Sequence, residues 1–203
     1  MVPEFYKNTL GSSILYSLLP LDAMWYRCCV HDKKYGVTLQ IFAVNLFLSC
    51  VASLLFWEKY DFDSWEWEFD KYVARCFLLN CLVNNVLHLS VGHALFFSVI
   101  PLGLYIYSGY TKSAGDYEVT LFCHLLFRYL LFCNSVLLLD NNDYRLIKWV
   151  TPLYITTCCT VYMFDMLGYW KSVGYVMLAI TGTFAILKNF SFFNKDVCKV
   201  GKC

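Results

Sequence analysis

The sequence predicts an all-α polytopic membrane protein, a transmembrane helix bundle of six or seven spans with its C-terminus on the inner side. Three observations carry that reading. Between Val37 and Phe190, apolar runs of 16–23 residues follow one another with only short polar punctuation. A bilayer core of about 30 Å needs roughly 20 apolar residues, each rising about 1.5 Å along a helix. The 203 residues are also 59% hydrophobic and 15% charged, with mean hydropathy +0.52, which leaves too little polar surface for a soluble exterior. Finally, the basic residues sort to alternate loops, as the positive-inside rule demands.

The apolar runs place spans at 37–57, 72–90, 92–107, 119–139, 149–167 and 173–190, within one membrane-embedded domain. Residues 9–25 form a seventh candidate. This run is shorter and interrupted by Pro20 and Asp22, so it reads equally well as a span or as an amphipathic helix in the interface. Almost no loop separates 72–90 from 92–107, which predicts either a tight helical hairpin or one long helix kinked near Gly92 and Pro101. In the Thr-rich run 149–167, Pro152 is expected near the helix start, where its missing N–H is harmless.

With seven spans and an outer N-terminus, the inner side collects Arg27, Lys33, Lys34, Arg145, Lys148, Lys188, Lys195, Lys199 and Lys202. The outer side keeps Lys7, Lys59, Lys71, Lys112 and Lys171. If 9–25 does not span, only Lys7 changes side. The longest loop, residues 58–71, alternates acids (Glu58, Asp61, Asp63, Glu66, Glu68, Asp70) with Tyr60, Trp65, Trp67 and Phe69. Such alternation predicts an interfacial segment, rings toward headgroups and carboxylates toward water. The eleven cysteines fall mostly inside apolar runs with no CxxC pair, so they read as small packing residues, not a disulfide framework. A signal peptide is not expected: no small-x-small site follows the apolar run before Trp25.

Inside a bilayer the informative residues are the polar ones, because an ionisable group at that depth needs a compensating partner. Asn80, Asn84 and His88 are spaced i, i+4, i+8 and form one stripe, with Asn85 beside it. His124 and Arg128 form a second pair at i, i+4, and Arg128 lies too near the centre of its span to snorkel out. Both stripes are expected to point into the bundle and toward each other, as a packing network or as a pocket for an ion, quinone, haem or anionic ligand. Haem b needs two histidines, which His88 or His93 with His124 would supply. Four histidines are too few for a di-iron hydroxylase. The set Cys28, Cys29, His31, Cys198 and Cys203 matches no standard zinc spacing, so no metal site is expected. Lys188, compared with a retinal Schiff-base lysine, sits too near the inner end of its run and faces no acidic counter-ion.

No catalytic constellation, phosphate loop or basic nucleic-acid face is present in the sequence. The expected role is therefore a non-catalytic integral membrane subunit of a larger assembly, a respiratory one in the mitochondrial inner membrane being the favoured setting. Its partners are the lipid bilayer and other membrane subunits, not nucleic acid. The alternatives are a small transporter or channel with a polar path along Asn80/Asn84/His88 and His124/Arg128, and a haem- or quinone-binding redox subunit.

Overall fold

The structure, a computed structural model, describes residues 4–30, 34–61, 63–140 and 145–164, together with 176, 178–181 and 183. The described residues are helical, with no strand among them. The order is α1 (Glu4–Ser13), a 3₁₀ turn (Ile14–Leu18), α2 (Leu19–Val30), α3 (Val37–Lys59), α4 (Trp65–His88), α5 (Val91–Ser113), α6 (Tyr117–Leu139) and α7 (Arg145–Phe164). By length and composition three of these helices are suited to cross a membrane: Val37–Trp57, Val91–Ser113 and Tyr117–Leu139. The span expected at 173–190 lies mostly outside the described residues.

The helix ends differ from the apolar runs for local reasons. α4 begins seven residues before the expected start, so 65–71 is its first two turns and not a loop. Ser64 caps it by accepting a hydrogen bond from the Trp67 N–H at 3.4 Å, and Glu66 and Glu68 favour the positive end of the helix dipole. Asp116 caps α6 in the same way, accepting from the Val119 N–H at 3.2 Å. The α4–α5 connection is a hairpin: Leu89 and Ser90 are both extended, and the chain turns within two residues. Gly115, at φ 81°, closes the α5–α6 turn in a conformation that other residues avoid. Pro152 lies well inside α7, where it removes a backbone donor, and not at the helix start.

The segment 4–30, whose residues 9–25 read equally as a span or as an interfacial helix, is packed among the other helices. It does not lie on a surface. Leu10, Leu18 and Leu21 are wholly buried, and α1, the 3₁₀ turn and α2 pack against α3, α6 and α7. Its polar residues are buried too: Asn8, Thr9, Ser12 and Ser13. The change of winding at Ile14–Leu18 accommodates Pro20, which falls in the first turn of α2 and so leaves no internal N–H missing there.

Ring contacts and ion pairs identify the two ends of the bundle. At one, the Tyr6 ring meets Trp57 at 6.0 Å and Tyr117 at 5.8 Å, and Lys7 lies over the Tyr60 ring. At the other, Arg27 pairs with Asp140 and the Tyr35 hydroxyl donates to the Leu139 carbonyl. Outward faces of α4 and α5 are apolar, with Val86, Leu95 and Val99 each about two-thirds exposed, as lipid contact allows. Cys28, Cys50, Cys76, Cys81, Cys123, Cys133, Cys158 and Cys159 are free thiols, six of them buried.

Candidate functional site

Between the α3–α4 and α5–α6 hairpins lies a cavity of about 310 Å³. Its walls are largely aromatic, including Tyr6, Phe56, Trp57, Tyr60, Trp67, Tyr105 and Phe127. The Phe56 and Trp67 rings meet tilted at 4.9 Å, and Tyr105 and Phe127 at 5.5 Å, which packs the rings together as walls. Into this apolar shell project the ionisable groups of Asp70, Lys71, Lys112, His124 and Arg128.

Arg128 sits at the middle of α6 and its guanidinium lies 5.6 Å from the Trp57 ring centroid. Both protons of Nη1 are engaged: one goes to the Leu10 carbonyl and the other to Ser13 Oγ at 2.9 Å. These bonds tie α6 to the N-terminal segment where α winding gives way to 3₁₀. Among the described residues, Nε and Nη2 take no acceptor and no carboxylate lies within ion-pair distance of the guanidinium. That free edge is the one that receives a carboxylate or phosphate with two parallel hydrogen bonds.

The other charges leave an excess of positive potential. Lys112 lies 5.9 Å from the Tyr60 ring centroid, and Lys71 is paired with Glu68 at 2.6 Å. Asp70 is the cavity's acid and accepts from Ser53 Oγ at 2.6 Å. Burial pushes its carboxyl above the usual carboxylate range, against the opposing effects of the Ser53 hydroxyl and the Arg128 charge. Burial likewise raises the Tyr60 phenol, which therefore stays neutral and adds no negative charge.

A raised pKa means that folding favours the neutral acid, so stability is lost as pH rises from the unfolded carboxylate value, about 3.9, through the folded one. Asp70→Asn is expected to raise Tm at neutral pH by a few degrees, as about 1 kcal/mol does in a chain of this size. The two proteins should melt alike below about pH 4, where Asp70 is protonated in both states. Thermal unfolding across that range checks the sign.

His124 and Arg128 thus share the cavity, as their i, i+4 spacing implies. Asn80, Asn84 and His88 do not line it. Asn84 Nδ2 donates back to the Asn80 carbonyl at 2.9 Å, and His88 Nε2 lies 3.1 Å from Thr38 Oγ1 on α3. The α4–α5 bond comes from Asn85, whose Nδ2 donates to Ser98 Oγ at 3.2 Å. The polar path proposed from the two stripes is therefore not one cavity, because α4 turns those side chains to α3 and to its own backbone.

Bis-histidine haem is not assembled either. His93 bonds Ser90 Oγ at 2.8 Å at the start of α5, whereas His124 Nδ1 lies 3.5 Å from Ser108 Oγ. Ser108 is fifteen residues along α5 from His93, about 22 Å at about 1.5 Å per residue. His88 is at the His93 end, beside the first turn of α3. Neither histidine reaches an iron held by His124. Among the described residues no three potential ligands gather for a metal ion. His31, Cys198, Cys203, Asp165 and Lys188 lie outside the described residues.

Ser108 and His124 do not form a nucleophile–base pair. The Ser108 hydroxyl donates to the Tyr105 carbonyl at 2.8 Å, so its proton is directed away from the imidazole. Sequence reasoning missed Asp70 and Lys112, both assigned to loops. The signals were Ser64, which starts α4 early, and Gly115, which lets α5 run on to Ser113.

Comparison with protein-family models, with curated proteins and with solved structures gives no match.

Proposed function

We propose that the chain is a multi-pass membrane protein that acts by binding, a non-catalytic subunit of a membrane assembly whose cavity holds an anionic group at Arg128. The single observation behind this is a centrally placed guanidinium whose Nε–Nη2 edge faces no protein acceptor inside an aromatic-walled cavity. A cation at that depth needs compensation, and Asp70, itself held toward neutrality, supplies little. A bound carboxylate or phosphate would complete it.

In this reading the helices cross the membrane in alternation and the N-terminal segment forms a further crossing over residues 9–25. Lys7, Lys59, Lys71 and Lys112 belong to the outer end, and Arg27, Lys34, Arg145 and Lys148 to the inner. The gathering of Lys7, Lys112 and Tyr60 at one end and of Arg27 and Asp140 at the other supports that arrangement.

Native mass spectrometry of the chain extracted gently from its own membrane, with an absorbance spectrum of the same sample, tests the proposal. The expected result is a stoichiometric complex with partner proteins, carrying a small anionic adduct and showing no Soret band. A bare monomer that gains no thermal protection from inorganic phosphate or acetate would overturn it. So would a haem band.

A further inference from the structure

The geometry points to a membrane amphiphile as the source of the anion: a single-chain carboxylate that enters sideways from the lipid between α4 and α5, with its head on Arg128 and its tail left in the opening. This rests on the anion-binding reading given above and names the ligand class for the same cavity.

The opening is visible in the packing. α4 leans on α3 and α5 leans on α6, while α4 and α5 meet each other much less. Their hydrogen bond, Asn85 to Ser98, lies near the turn that joins them. Farther from that turn the cavity is lined by Ala74 and Leu78 of α4 and by Ile106 and Gly109 of α5. Ile106 is 63% exposed on the outer face of the bundle and yet lines the cavity, so the cavity reaches the lipid-facing surface at this point.

The chemistry of the two ends differs. Leu78 and Ile106 offer a lipid tail an apolar edge, whereas the interior offers the Arg128 fork with Lys112 beyond it. A second buried donor is also without a partner: the indole N–H of Trp57, a residue that is 7% exposed and lines the cavity. A carboxylate head with two oxygens matches these donors. The volume of about 310 Å³ suits a head and the first methylenes of one chain, and the remaining chain stays in the bilayer.

Gly109 supplies the test. A Cβ built there meets nothing within 4 Å, and the same is true of Gly103 on the same helix, which does not line the cavity. Gly109→Phe therefore starts a ring at the opening with no clash at its Cβ, and Gly103→Phe adds an equal ring away from the cavity. Each protein is reconstituted in phosphatidylcholine nanodiscs containing oleate, and retained oleate is counted by native mass spectrometry. Wild type and Gly103→Phe are expected to hold one oleate, and Gly109→Phe to hold it about tenfold more weakly, a difference of about 1.4 kcal/mol. If Gly109→Phe does not fold, Gly109→Leu carries the same comparison.

Equal retention in wild type and the Gly109 variant would overturn entry between α4 and α5. Retention of added inorganic phosphate with no oleate in the wild type would overturn the amphiphile and leave the anion site standing. Failure to retain either would remove both.

Discussion

Arg128→Leu is expected to weaken anion binding about a hundredfold and to loosen the bundle at its centre, two effects that separate in Arg128→Lys. Leucine removes the guanidinium fork that lines the cavity, and the loss of two charge-assisted hydrogen bonds to a ligand is expected to cost about 2.8 kcal/mol of binding. It also strips one donor each from the Leu10 carbonyl and Ser13 Oγ, which keep the bond between them. The loss of a hydrogen bond to a charged group costs about 1.5–3 kcal/mol. Lysine keeps the charge near Trp57 and Asp70 but not the planar edge, so it should preserve most of the stability and still bind about tenfold more weakly than arginine. Chemical unfolding in detergent alongside phosphate titration checks both. A leucine variant with wild-type binding and wild-type stability would remove Arg128 from either role.

Leu18→Ala carries the second large effect. Leu18 is wholly buried in the 3₁₀ turn, at the centre of the N-terminal segment. Lipid is as apolar as the protein interior, so the transfer part of the usual cost disappears and the void it leaves remains. At about 24 cal/mol per Å³ of residual cavity, the expected loss is about 2 kcal/mol. Leu95→Ala, at a side chain 60% exposed on α5, should change stability by about 0.5 kcal/mol or less. Thermal unfolding of the pair measures the contrast. Equal shifts would mean that residues 4–30 do not occupy the interior.

How much of this was legible in the sequence follows from what a single helix can reveal. α3 and α6 read directly, because their apolar runs match the thickness of a bilayer and their ends carry polar residues. α4 did not, because the acid and aromatic alternation of 65–71 has the composition of an interfacial loop. Only the capping geometry of Ser64 shows that it is helix. The pairing of His124 with Arg128 was legible because i, i+4 fixes a shared face. The direction of the Asn80/Asn84/His88 face was not, since periodicity says which residues point together and nothing about which neighbour they meet. Residues 9–25 stayed open between span and interfacial helix for a related reason: nothing local to the run says that Ser13 accepts from Arg128, more than a hundred residues away.

The place of that segment has a consequence for how the chain is made. Residues 4–30 leave the ribosome before their neighbours on α6 and α7, which follow roughly a hundred residues later, and the guanidinium that serves Leu10 and Ser13 is among those late arrivals. At about 5–20 residues per second that segment waits several seconds or more for Arg128, while the Ser12 and Ser13 hydroxyls bond the Thr9 and Leu10 carbonyls of their own helix. The packing of this segment against α6 and α7 is therefore a late step of assembly, whatever the order in which the helices enter the membrane.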